Sequence, residues 1–463
     1  MSSAVHAAEL VTFEQGGTAK ASEVNGNFEA LNSEVQANKA AISNIALTPG
    51  PAGPAGSAGS VGPAGPAGPA GSAGSGATAT ETIAVDCATD SLQTAIETAV
   101  AGIVTINVTG TCNENITIAR SNIIIEGGGA GVIQAVEADP QLPGLSIIGA
   151  SNIILNDLTV NGGAFQALAL DDAQASLTNT DVTSSNQSFF VAVVDHSKLR
   201  MNGSAVDHAN AQEEGGALLV YNNSTLILDG GNTISTDGFE GDALAVVQSS
   251  VVTKGLSAQG GDSITSTGTE GISLILEGAS SAFFITDTES PSDGTLNVAS
   301  GTTITGALEA IGGSYILADA LTLTGALYLE LNSSMLAEGY CDPSGSGCSV
   351  SLNGDINLFK GGKVTLESSS VTAGTITVSR KSEIFLDNSI VAASFSGTGL
   401  IGTDGGSLSG NINCSFGDIS SSYDLSAFIG GSTDTTSLTV SGGSAGAQSC
   451  VLKFGVGNLN YPL

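Results

Sequence analysis

The stretch Asp90–Glu126, DSLQTAIETAVAGIVTINVTGTCNENITIARSNIIIE, changes its hydrophobic period part-way along. From Asp90 to Val100 the apolar residues Leu92, Ala95, Ile96, Ala99 and Val100 share one helical face. Asp90 with Gln93 offers a capping box, and Gly102 ends the helix. From Ile103 the pattern becomes alternation. Ile103–Val108, Asn115–Ile118 and Asn122–Glu126 read as short strands, followed in turn by Thr-Gly-Thr-Cys, Ala-Arg-Ser and Gly-Gly-Gly. Helical periodicity is nearly absent after Val100, so the remainder is expected to be all-β.

That remainder reads as rungs. Bursts that mostly open with serine and carry alternating aliphatics recur at Ser151–Leu155, Ser176–Thr178, Ser197–Met201, Ser224–Leu228, Ser250–Thr253, Ser281–Ile285, Ser314–Leu317, Lys363–Leu366 and Ser382–Leu386. Most steps between them suit one coil of a solenoid plus a variable loop. Asn122 and Asn152 occupy equivalent places in two Ser-Asn-Ile-Ile strings, as an internal asparagine ladder needs. A stacked β-sandwich array is the structural alternative. Past Ile401 the rhythm fades, and 401–463 is expected to hold C-terminal rungs or a cap.

The string Ser91-Leu92-Gln93…Ala95-Ile96, with Gly110-Thr111-Cys112…Glu114-Asn115-Ile116, resembles the start of a right-handed parallel β-helix of the pectate-lyase-like superfamily. The resemblance implies that residues 81–400 form the β-helix, its open end plugged by the short helix. A plug is physically sensible, because a terminal rung otherwise exposes the core. It also implies a scaffold on which polysaccharide lyases and hydrolases are built.

Ahead of this body, glycine falls at every third position from Gly50 to Gly74, each followed by proline or serine. That is the collagen period, since only glycine fits the axis of a triple helix. The Y positions are mostly alanine, so the tract is weak alone, and a stiff unpaired linker is its bland reading. Upstream, Val24, Phe28, Leu31, Val35, Asn38, Ile42 and Ile45 follow a heptad, with Phe28, Val35 and Ile42 at a and the others at d. Isoleucine at both a and d favours three strands, and one seam asparagine fixes register. The two patterns support each other, because a three-stranded coil gathers the chains that the collagen tract needs. The segment Thr12-Phe13…Thr18–Phe28 further resembles a motif that precedes collagen-like segments in exported bacterial proteins. The expected plan is 1–17 as the remnant of an export signal and arm, 18–47 as a trimeric coiled coil, and 48–80 as a collagen-like neck and linker.

The net charge of −33, with eleven Lys and Arg, repels nucleic acid and anionic lipid and excludes a nucleic-acid binder. No apolar run is long enough to span a membrane. Val5-His6-Ala7 suits a signal cleavage site, and six cysteines without a C-x-x-C pair argue for disulfides rather than zinc. Proximity favours Cys87–Cys112, Cys341–Cys348 and Cys414–Cys450, among fifteen possible pairings. Both features point to the cell surface or the extracellular space, in preference to the periplasm.

Catalytic patterns are sparse. Asn179-Thr180-Asp181 and Asp171-Asp172 resemble polygalacturonase-like motifs in reversed order, without the Gly-His-Gly or Arg-Ile-Lys that should follow. Lyase chemistry beside a uronate needs a cation and a Lys or Arg, and the densest candidate is Asp195, His196, Lys198 and Arg200. On a strand Lys198 and Arg200 face one way, with Leu199 and Met201 inward. A solvated outer face of one rung accounts for the same residues. Asp207-His208 lies too near in sequence to stack one rung above Asp195-His196. Acidic turns at Asp229-Gly230-Gly231, Asp237–Asp242 and Gly260-Gly261-Asp262 offer oxygens to calcium, yet no repeat assigns ligands, so no cofactor is expected. The expected protein is an exported homotrimeric fibre, structural or adhesive, with glycan or another cell surface as partner. A polysaccharide lyase or hydrolase, and a subunit of an extracellular filament, are the alternatives.

Overall fold

The computed structural model describes residues 79–456 except 137–141, 163–165, 185–189, 210–214, 256–260, 269–270, 287–300, 340–347, 380, 398, 414–424, 431–432 and 442–449, and of the preceding segment only positions 30 and 33. The heptad seam from Val24 to Ile45 and the Gly50–Gly74 tract lie outside the described residues. So do Cys341 and Cys414. The chain divides into two units at Ser72/Ala73, and all the strands belong to the second.

Those strands form a parallel β-helix. One coil is traced by Lys198–Asn202, Ala205–His208 and Leu218–Tyr221, after which Thr225–Leu228 returns to lie parallel on Lys198–Asn202. The same in-register parallel pairing recurs from Thr80–Asp86 on Ile103–Thr109 through Leu425–Gly430 on Cys450–Val456. The antiparallel pairings of a stacked sandwich have no counterpart among the named strand pairs.

Period-two alternation builds the core. One inward stack runs Ile106, Ile125, Leu155, Leu177, Met201 and Leu228, all buried. A second runs Val160, Val182, Val206, Ile234, Ile264 and Ile304 on another face. Burying each such side chain contributes about 1.5–3 kcal/mol, and register fixes it, since a one-residue slip would turn every aliphatic outward.

The serines that open the bursts have a specific task at the corners. Ser197 Oγ accepts Ala173 N–H at 2.8 Å, Ser224 Oγ accepts Ser197 N–H at 3.0 Å, Ser249 Oγ accepts Ser224 N–H at 3.0 Å, and Ser280 Oγ accepts Ser249 N–H at 3.2 Å. Each hydroxyl meets a buried amide of the preceding rung that no ladder partner reaches. At Ser249-Ser250 and Ser280-Ser281 the first serine turns inward and the second stays on the outer face.

Several expectations need correction. The helix is Leu92–Thr98, and its N-cap is Ser91, whose Oγ accepts Thr94 N–H at 3.1 Å; Asp90 instead accepts Asp86 N–H. Glu114 completes the cap, taking Ser91 Oγ–H and Leu92 N–H on its two oxygens. Leu92 and Ile96 enter the core, whereas Val100 is 89% exposed, because the chain has left the helix by Ala99. A strand precedes the helix, Thr80–Asp86. The asparagine ladder exists, Asn152 Nδ2 donating to Asn122 Oδ1 at 2.9 Å, but it is external: both residues have left-handed φ at an exposed turn. A rung at Ser334–Glu338 fills the long gap between Ser314 and Lys363. Past Ile401, where rungs or a cap are expected, the strands Ser407–Asn413, Leu425–Gly430, Leu438–Ser441 and Cys450–Val456 follow, and no correction is needed there. Cys87 and Cys112 are bonded to each other, and Cys348 is also disulfide-bonded.

Candidate functional site

Asp195 ends the strand Ala192–Asp195, and the register sets it between Asp171 of the rung below and Tyr221 of the rung above. Tyr221 Oη donates to Asp195 Oδ2 at 2.8 Å, Asn222 Nδ2 donates to Oδ1 at 2.9 Å, and His196 Nδ1 lies 2.7 Å from Oδ1. Burial alone would raise the Asp195 pKa. The hydrogen bonds from Asn222 and Tyr221, with the charge and hydrogen bond of His196, outweigh it and hold the carboxyl below its ordinary range. Burial, the hydrogen bond to Asp195 and the charges of Asp195 and Asp171 push the Tyr221 phenol up to about 12. Asp195 is therefore a fixed anion and Tyr221 a fixed donor.

His196 owes its place to backbone geometry. It occupies the left-handed corner after the strand, φ 45°, as do Asp172 (φ 48°) and Asn222 (φ 55°) in neighbouring rungs. Non-glycine residues rarely take that conformation, and Asn, Asp and His are the tolerated ones. One ligand atom each from Asp171, Asp195 and His196 lie within 4.8 Å of one another, so this corner gathers a mixed carboxylate and imidazole donor set of the kind a divalent transition metal takes.

Just beyond the corner an open groove of about 390 Å³ crosses the rungs. Ser151, Asp172, Gln174, His196, Lys198 and Asn223 line it. Lys198 projects outward between Gln174 and Thr225 of the adjacent rungs, with Leu199 and Met201 buried behind the strand. Arg200 also faces outward but turns away to pair, through Nε, with the buried carboxylate of Asp229. The structure thus joins Asp195, His196 and Lys198 around one corner and assigns Arg200 to an ion pair.

The other sequence motifs disperse. Thr180 is buried, its Oγ1 donating to Leu155 and Thr178 carbonyls, and Asp181 opens an outer strand on a different face from Asp171. His208 is buried against Thr236 Oγ1, and Asp207 accepts Ser235 Oγ–H. Tyr221, Asn222, Gln174 and Asn223 are site residues that sequence reasoning did not reach. They are brought beside Asp195 and Lys198 by the pairing of neighbouring coils, and no local motif carries that information.

No family model matches the sequence, and no curated protein matches it. Among solved structures, the alginate lyase from Paenibacillus sp. str. FPU-7 matches over 61% of this chain and 98% of its own, at 12% identity and a TM-score of 0.30.

Proposed function

We propose that the chain is an exported homotrimer, gathered by its heptad and Gly-X-Y segments, that presents its β-helix to bind glycans at a surface, with a structural and adhesive role. The observation that carries this reading is the groove beside Asp195. It is open and polar, and its amides, hydroxyls and Lys198 match the hydroxyl and acidic groups of a sugar chain. The ionisable groups around it are spent on one another: Asp195 on Tyr221, Asn222 and His196, and Arg200 on Asp229.

The test is binding of the full chain to neutral and uronate polysaccharides, for the native protein and for Lys198→Ala and Gln174→Ala. Retention that weakens at least about tenfold in both variants supports groove binding, the loss expected when buried or directional polar contacts go. Retention unchanged in both sinks it.

One observation favours a second reading, a polysaccharide lyase. Asp171, Asp195 and His196 gather two carboxylates and an imidazole beside Lys198, and a divalent cation held there would stand next to a base suited to proton removal beside a uronate carboxylate. Release of unsaturated product that depends on a divalent cation and is abolished by Lys198→Ala would establish it.

A further inference from the structure

A second polar corner lies at the far end of the strand Lys198–Asn202. Its ladder climbs from Thr180 to Ser204, Asn232 and Asp262, each accepting the backbone N–H of the residue before it in the series. Asn232 is fully committed. Its Oδ1 takes Ser204 N–H at 3.0 Å, and its Nδ2 donates to Met201 O and to Asp262 Oδ1, the latter at 2.8 Å. Asp262 Oδ1 also accepts Asn232 N–H at 3.1 Å. Asp229 gives Oδ2 to Arg200 Nε. The remaining oxygens, Asp229 Oδ1 and Asp262 Oδ2, are buried and lack any hydrogen-bond partner, in side chains only 2% exposed.

Arg200 is paired with Asp229 alone and the donors of Asn232 are used up, so each carboxylate keeps one buried oxygen without a partner. A buried carboxylate oxygen without a partner costs several kcal/mol, so the corner requires either a proton or a cation. We propose that Asp229 and Asp262 together bind a divalent cation of the hard, oxygen-preferring kind, calcium above all, as a structural clamp between adjacent rungs. Asp229 and Asp262 each lie just before a strand, Thr233–Thr236 and Ser263–Ser266, and Thr233 pairing with Ser263 sets those strands one rung apart. Oxygen ligands from two carboxylates and neighbouring carbonyls are the donor set calcium takes, whereas zinc prefers nitrogen and sulfur. This site is separate from the groove and does not depend on what the groove binds.

The experiment uses the full chain, stripped with EDTA and titrated with CaCl2 by calorimetry, alongside thermal unfolding with and without CaCl2. Asp262→Asn preserves the acceptor for Asn232 and removes the charge; Asp195→Asn serves as the control for the groove corner. The expected result is a calcium-dependent rise in unfolding temperature in the native chain and in Asp195→Asn. In Asp262→Asn the rise disappears and the tight titration weakens at least about tenfold. Calcium dependence that persists in Asp262→Asn would place the ion elsewhere on this acidic surface and overturn the proposal. A native chain indifferent to CaCl2 but stabilised by acid would mean that the two carboxylates share a proton, and would overturn it equally.

Discussion

At the scale of single residues, stability in this fold rests on side chains that satisfy buried backbone at the corners. Ser224 is the clearest instance: its Oγ accepts Ser197 N–H and donates back to Val194 and Tyr221 carbonyls, at 1% exposure. Ser224→Ala leaves a buried N–H unpaired, and the expected loss is about 1–3 kcal/mol by chemical denaturation. A loss near zero would mean that water reaches the corner. Asp242 supplies a pH-dependent counterpart. Burial, opposed by Ile272 N–H and reinforced by the charge of Glu277, raises its pKa from 3.8 to about 6. A carboxyl whose folded pKa lies above its unfolded one contributes stability that is fully present below the unfolded value and is lost as pH rises through the folded one. The native chain should therefore lose about 2–3 kcal/mol from this group between pH 4 and pH 7. Asp242→Asn, which keeps the acceptor for Ile272, is expected to flatten that slope and be the more stable at pH 7. An unchanged slope in unfolding experiments across that range would show that Asp242 is not its source.

At the scale of elements, the sequence carries the rung rhythm because corner serines and inward aliphatics are local, repeating demands. The helix cap is less legible, because Glu114, a residue of the next rung, helps to set it. The rung at Ser334–Glu338 is faint because Met335 and Leu336 make a burst too brief to stand out. For the candidate site, Asp195, His196 and Lys198 are legible as a dense string, but the residues that complete it come from adjacent coils whose loop lengths vary. Register also creates a ladder that sequence does not announce. Glu338, Glu367, Asp387 and Asp404 stand opposite one another in successive strands. Stacked strands are about 4.8 Å apart, so like charges in register repel. Burial first, and the neighbouring carboxylates second, raise the pKa of Glu367 and Asp387. By the same sign rule, stability from these groups is lost as pH rises towards neutrality. Glu367→Gln is expected to raise the unfolding temperature at pH 7, more at 20 mM than at 1 M NaCl, where charges are screened beyond about 3 Å. An equal gain at both ionic strengths would contradict the electrostatic account.

At the scale of the whole molecule, charge and assembly oppose each other. Three chains at −33 each repel, so the β-helical bodies have an electrostatic reason to stay apart unless something else gathers them. In the proposed trimer that device is sequence that is nearly neutral and repetitive: the seam from Val24 to Ile45 and the glycine tract from Gly50 to Gly74. Neither is strong alone. Three heptads are few, Gly26 weakens the helix by up to about 1 kcal/mol, and alanine at Y positions adds little to a triple helix. In the proposed trimer the two work in tandem, because a three-stranded coil would raise the effective concentration at which the tract closes. The full chain is thus expected to sediment as a trimer and residues 81–463 as a monomer at every salt concentration. Replacing the seam residues Leu31 and Ile42 with Asp should convert the full chain to monomer while leaving the main unfolding transition of the β-helix in place. If residues 81–463 alone form trimers, the bodies themselves supply the association and the tandem segments are a spacer. If the full chain is a monomer, the fibre reading fails, and the groove beside Asp195 must be explained by a single β-helix acting alone.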